Sequence, residues 1–374
     1  FISYAKDVNL TNIKFTNAYN YYDGPQNTGT YEGGAIYCQA VPNLKIFNCI
    51  FTKNFASTKG GAIYITDRRN EASTALIENC TFIENEVGGF QVSSGGAVFL
   101  NTDFAHVRNC TFISNSVIDD AGGAITIFGE SKVSNSTFIN NTAKMGGAVE
   151  LYHGSVFSCR FENNRATSGS AIKIDYLSTI DGCTFKNNYA ESEGAILVMG
   201  SNNVISNSQF INNSARTNAK ADGGAILWDR SNYALIDNCI FDGNYITTTA
   251  TGDVWVQGGS IYLRADSQFT ISNSVFNNSV SDKEAGAIYI QSKTLPAGQS
   301  ILIVNTTFSN NVAKAIGPNI YGGGAVQIKE CNRVYFRNVT FENNTANQGG
   351  AVSIYKANDN IQFDDCVFIG NDAT

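Results

Sequence analysis

Two short phrases alternate without a break along this chain. The first is Gly-Gly-Ala-Ile/Val, beginning at Gly33, Gly60, Gly95 and Gly122 and recurring as far as Gly349. The second centres on a phenylalanine, at thirteen places from Phe15 to Phe368, and in eleven of them Asn follows three residues later. The repeat length varies from 23 to 38 residues. Self-similarity of this kind overrides the two or three globular domains that 374 residues would otherwise suggest. A fixed core with variable spacers is what loops on a rigid scaffold produce.

The phase of each phrase defines its shape. After Gly-Gly-Ala the outer members of a triplet are apolar and the middle one is free, as in Ile63-Tyr64-Ile65 and Val98-Phe99-Leu100. That is a short strand with one buried face. A second strand precedes each Phe, with an apolar residue five positions before it (Ile77, Val107, Val133) and a small one two before. Five and two differ in parity, so the chain must turn between them. The residue three before Phe is Asn in ten of thirteen copies and Ser158, Gly182 or Asp365 in the others. These types tolerate left-handed turn geometry. The Asn after Phe is read as a second corner. Each repeat is therefore three short strands and bends, and successive repeats pair in parallel about 4.8 Å apart. The expected fold is all-β: a right-handed, single-stranded parallel β-helix (β-solenoid) of about 12–13 coils, roughly 60 Å long. Residues 1–374 are expected to form one such domain, a segment of a longer repeat protein that continues past one or both ends.

The combination of GGAI with FxxN resembles the repeats of chlamydial polymorphic outer-membrane proteins. The fuller phrase at Ser136–Val149 and Cys183–Ile196 resembles the adhesin-like proteins of methanogenic archaea. The resemblance covers essentially the whole chain. It implies a large cell-surface protein built of β-helix repeats, located outside the cell, with its anchor elsewhere.

Seven of the nine cysteines stand two before Phe, where Ser, Thr, Val or Ile stands in other repeats. That set describes a small buried position. A disulfide between neighbouring coils remains conceivable, but three in a column cannot all pair. No Cys-x-x-Cys occurs and the histidines are His106 and His153 alone, so no metal or other cofactor is expected. Ten Asn-x-Ser/Thr sequons, among them Asn79, Asn109 and Asn135, fall mostly on the corner positions. A net charge of −7 argues against nucleic acid, and no stretch is apolar and long enough to insert in a membrane.

No pair of carboxylates recurs on neighbouring coils in one outward slot, and no nucleophile elbow or phosphate loop is present, so the chain is not expected to be an enzyme. Asp229 and Arg264 share a slot and read as a surface ion pair. Binding is the better expectation. Insertions cluster between the Asn after Phe and the next Gly-Gly, and carry Tyr21, Tyr22, Tyr31 and Trp255. The outward slot after GGAI adds Tyr37, Tyr64, Phe99, Tyr262 and Tyr289. These rings could stack on a glycan or a cell-surface protein, or could instead stiffen the sheet or lie beneath a loop. The leading reading is an adhesin-like rod that attaches to glycans, host cells or other microbes. The alternatives are a purely structural spacer and a polysaccharide lyase or hydrolase.

Overall fold

The computed structural model describes the chain apart from residues 22–30, 68–72, 89–92, 103, 232, 251–253, 293–294, 317–321, 357–358 and 374. The chain divides into two compact units, Phe1–Ile174 and Asp175–Thr374. Among the described residues, strands are the only long regular elements in both.

One coil of the first unit shows the plan. Strand Ile63–Thr66 follows the glycine pair and belongs to sheet A. Thr74–Glu78 belongs to sheet B, Thr81–Ile83 to sheet C, and the two-residue strand Glu86–Val87 to sheet D. Each pairs in parallel with its counterpart one repeat later: Ile63 with Val98, Ile77 with Val107, Phe82 with Phe112, and Val87 with Val117. The second unit repeats the scheme, with Ile261 opposite Ile288, Ile271 opposite Ile303 and Phe276 opposite Phe308. Thirteen strands of each of the three long kinds occur over the two units. This is the parallel β-helix that the repeat phase predicts. Sheet D is an addition to the three-strand coil: the apolar residue beyond the second corner, Val87 for instance, sits in a strand of its own.

The first corner is where the sequence places it. Asn79, Asn109 and Asn135 have φ of 54°, 53° and 49°, and Ser158 and Asp365 both have 51°. The second corner differs. Its left-handed residue is two after Phe (Glu84 at 52°, Ser114 at 53°), and the Asn three after Phe turns inward. Those asparagines form a buried ladder. Asn85 donates its side-chain amide to Asn115 Oδ1 at 2.9 Å and to Phe51 O at 3.0 Å, and Asn115 does the same to Asn141 Oδ1 and Phe82 O. The backbone N–H of Asn85 also donates to Asn115 Oδ1 at 3.0 Å. Every polar atom of such a side chain is thereby satisfied, which is the condition for burying it.

Beside the ladder run the phenylalanines. In the first unit Phe82 and Phe112 stack at 4.6 Å between centroids and 2° between planes; in the second, Phe241 and Phe276 stack at 4.5 Å and 3°. One coil breaks the ladder and repairs itself. Ser279 replaces the Asn, Ser260 replaces the Ala of Gly-Gly-Ala, and their hydroxyls meet across the core at 2.7 Å.

All nine cysteines are free. The slot two before Phe is a hydrogen-bond ladder as well as a packing site. Cys110 Sγ donates to Arg108 O at 3.2 Å and accepts the backbone N–H of Cys80 at 3.4 Å. Ser136 does the same with Ser134 O and the N–H of Cys110. A thiol and a hydroxyl serve alike there, which accounts for the Cys/Ser/Thr set better than small size alone. Burial pushes the Cys239 thiol up to about 12.

The Gly-Gly pair serves a close approach of the coils. Gly95 has φ of 68°, and a Cβ on Gly96 would lie 2.0 Å from the carbonyl oxygen of Gly123. A side chain at Gly96 would collide with the next coil, although Ser170 fills the equivalent slot in its own coil.

Candidate functional site

Sheet A carries its outward residues in two columns. In the first unit the nearer column is an aromatic stack. Tyr37 and Tyr64 lie 5.0 Å apart and Tyr64 and Phe99 5.3 Å, with Phe1 on the outer face of Tyr37. Tyr37 is half-buried, whereas Tyr64 and Phe99 are buried. Lys59, just before a Gly-Gly, folds back over the column, with its Nζ 5.1 Å above the Phe99 ring. In the second unit Tyr262 and Tyr289 stack at 5.4 Å and are also buried. Lys220 Nζ lies 5.6 Å over Tyr262, and the Tyr262 hydroxyl donates to Gln291 Oε1 at 3.1 Å.

The pre-glycine residues of this unit form a polar cover. Asp222 pairs in register with Gln257, and Gln257 with Glu284. Lys220 binds the Asp222 carboxylate at 2.6 Å, and Gln257 Nε2 donates to Glu284 Oε2. Burial pushes the Asp222 carboxyl up to about 6, against the pull of Lys220, and also raises Glu284. The Tyr262 hydroxyl is raised by burial first and by the charge of Asp222 second.

The insertions leave from one corner, between sheet D and sheet A. Tyr21 is exposed there and belongs to a ring cluster with Tyr19 and Phe55, at 5.7 Å and 6.2 Å. Tyr31 is half-buried, and Tyr22 lies outside the described residues. Tyr19 and Phe55 were not singled out from the sequence, because their slot on sheet D holds Glu86 and Ser116 in the next coils.

Trp255 is the candidate best placed to meet a ligand. Its ring is 54% exposed. Lys329, itself buried, holds its ammonium 4.5 Å from the Trp255 centroid and 5.9 Å from that of Tyr355. A cation under an indole fixes the ring face. Lys329 belongs to the farther outward column of sheet A, in register with Gln291, which in turn faces Arg264. The expected Asp229–Arg264 ion pair forms. Next to this column lies an open groove of about 410 Å³, lined by Arg230, Arg264, Asp266, Gln291, Ser292 and Glu330. Arg230 sits at a β-bulge with φ of 52°, between Asp229 and Ser231. Bulges re-aim side chains in this way. Glu330 accepts from Lys356 at 3.0 Å, and that bond, with the lysine's charge, holds its carboxyl below the usual range. The groove thus offers donors, acceptors and two carboxylates. Apart from Arg264, its members were missed in the sequence because they come from four repeats of unequal length and align only once the register is known.

The comparisons with known proteins agree on architecture. The chain is 24% identical over 371 residues to metabotropic glutamate receptor-like protein R of Dictyostelium discoideum, covering 88% of this chain and 22% of that protein. It is 28% identical over 143 residues to probable autotransporter YfaL of Escherichia coli (strain K12), covering 38% of this chain and 11% of that protein. The chain therefore spans less than a quarter of either relative's length. Among solved structures, the catalytic domain of a GH87 alpha-1,3-glucanase in complex with tetrasaccharides matches at 14% identity and a TM-score of 0.37, over 88% of this chain and 63% of that one. The same domain in complex with nigerose matches at a TM-score of 0.33. The expectation that the chain is not an enzyme is corrected here: the solved structures matched are glucanase catalytic domains. The likeness is one of fold and assigns no reaction to this chain. A family model described as a right-handed beta helix region matches residues 1–143, 123–253 and 223–374. With every coil of both units accounted for by that model, the chain belongs to the right-handed β-helix family.

Proposed function

We propose that this chain is the glycan-binding portion of an adhesin-type surface protein, displayed outside the cell. The observation that carries the reading is Trp255: a half-exposed indole held against the ammonium of Lys329, whose register neighbour Gln291 lines a polar groove. Pyranose rings present an apolar face and an edge of hydroxyls. An aromatic plate takes the face, and mixed carboxylate, amide and guanidinium groups take the edge. The resemblance of the repeats to surface adhesins, and the autotransporter name of one relative, support a location at the cell surface.

A second reading has its own observation. Asp266 and Glu330 place two carboxylates in the groove, and a pair of carboxylates is what glycoside hydrolysis requires. One experiment serves both. The purified chain is applied to a panel of oligosaccharides, with Trp255→Ala and Gln291→Ala as variants, and the supernatant is assayed for released sugar. Binding that weakens about tenfold in Trp255→Ala supports the glycan reading. Sugar release abolished by Asp266→Asn or Glu330→Gln supports hydrolysis. Absence of binding to every glycan leaves the structural-spacer reading and overturns this one.

A further inference from the structure

Sheet D of the second unit carries a feature that the Trp255 groove does not use. Tyr189 is in register with Ser214, and Ser214 with Tyr245. Their neighbours Ala190, Ala215 and Ile246 point into the core, so the three stand in one outward column. Parallel strands are about 4.8 Å apart, so the two tyrosines are attached about 9.6 Å apart with a serine between them. Tyr245 is 41% exposed and Tyr189 half-buried, while Ser214 lies at the floor. Arg216 and Thr247 pair in the next outward column. Two open hollows of about 390 and 400 Å³ share Tyr189 and Arg216. One reaches Glu191, and the other Tyr245 and Thr247.

The first unit shows what the same slot does when no gap is left. Tyr19 and Phe55 occupy it on adjacent coils and stack directly, 4.8 Å between centroids. In the second unit the intervening serine spaces the rings by two steps. Apolar contact needs about 3.5–4 Å on each side. The space therefore admits one ring, with an aromatic face on either side of it.

We infer that the Tyr189–Ser214–Tyr245 slot binds a single pyranose residue of a neutral glycan. The tyrosine faces take the two faces of the sugar, and Glu191, Arg216 and Thr247 take its hydroxyls. A nucleotide is disfavoured by the Glu191 carboxylate and by the chain's net charge of −7. A plain aromatic group offers nothing to the polar rim. The site is on a different sheet from the groove and stands independently of it.

The test titrates the whole chain with neutral gluco- and manno-oligosaccharides by calorimetry. Tyr189→Ala and Tyr245→Ala each weaken one class of site about tenfold. Ser214→Phe inserts a ring, as Phe55 does naturally, and removes that class while circular dichroism and melting stay native. Trp255→Ala leaves it in place. Unchanged affinity and stoichiometry in folded Ser214→Phe overturns the inference. So does loss of all binding in Trp255→Ala, an outcome that would leave the groove reading intact. Should Ser214→Phe fail to fold, the two alanine variants decide, and wild-type affinity in both overturns the site.

Discussion

Replacing Asn115 by Ala tests what holds the coils together. Asn115 Oδ1 accepts two bonds from the preceding coil, from the backbone N–H of Asn85 at 3.0 Å and from Asn85 Nδ2 at 2.9 Å. Its own amide donates to Phe82 O at 3.1 Å and to Asn141 Oδ1 at 3.0 Å. Truncation leaves the Asn85 N–H and one Asn85 amide hydrogen without an acceptor in a fully buried place. Asn85 Nδ2 keeps its bond to Phe51 O, and Asn141 Oδ1 keeps the N–H of residue 115 at 2.9 Å. Two orphaned donors at about 1–3 kcal/mol each, less what local relaxation recovers, give a cost of about 2–5 kcal/mol. An exposed Asn→Ala change costs under about 0.5 kcal/mol. The assay is urea unfolding followed by far-ultraviolet circular dichroism. Both tryptophans, Trp228 and Trp255, lie in the second unit, so fluorescence would not report on this coil. Asn115→Asp adds a pH signature. Its second oxygen would face Phe82 O and Asn141 Oδ1, both acceptors, so only the protonated acid can donate. The folded pKa is therefore raised, and the variant is most stable below about pH 4 and loses stability as pH rises through that folded value. A cost below about 1 kcal/mol for Asn115→Ala, or a flat pH dependence for Asn115→Asp, would refute the ladder as a source of stability.

The remaining predictions concern single coils. Ser260→Ala with Ser279→Asn rebuilds the ladder where Ser279 interrupts it. A double-mutant cycle should give a coupling of about 1–3 kcal/mol, because each single change leaves an unpaired hydroxyl or a crowded amide. Cys110→Ser should change stability by less than about 1 kcal/mol in a thermal melt, since Ser136 already makes the same two bonds, whereas Cys110→Val leaves the Cys80 N–H unpaired and should cost about 1–3 kcal/mol. Asp222, with its folded pKa raised to about 6 by burial, contributes stability that is present below about pH 4 and lost as pH rises through about 6. Denaturation curves of Asp222→Asn should therefore gain on the wild type by about 2–3 kcal/mol across that window.

The fold was legible because the inward positions recur in every repeat, and a parity argument on residues five and two before Phe forces a corner at Asn79 and its equivalents. The second corner was misplaced by one residue for a physical reason. Two adjacent positions both favour Asn: the left-handed corner residue two after Phe is Asn in eight repeats and Gly in two, with Lys53, Glu84 and Ser114 in the others, while the Asn three after Phe builds the buried side-chain ladder. The Ser260–Ser279 compensation was readable in principle, since both substitutions fall in one repeat, but only if the two slots face each other across the core. Exposure of the aromatic column was not readable. An outward-facing slot is solvent-exposed only if nothing folds over it, and Lys59 over Phe99 and Lys220 over Tyr262 depend on side-chain reach from the preceding loop. Trp255 stood out by its residue type and its place in an insertion. The groove that Gln291 lines required the register.

Tryptophan emission offers the most direct measurement of the proposed binding site. The chain has two tryptophans, and Trp228 is fully buried whereas Trp255 is half-exposed. A bound sugar covering Trp255 should shift or quench its emission saturably as oligosaccharide is added, and Trp255→Phe should abolish the response while the Trp228 signal stays constant. An oligosaccharide that still binds the Ser214→Phe variant by calorimetry yet leaves wild-type emission unchanged, or a response that survives in Trp255→Phe, would contradict the account.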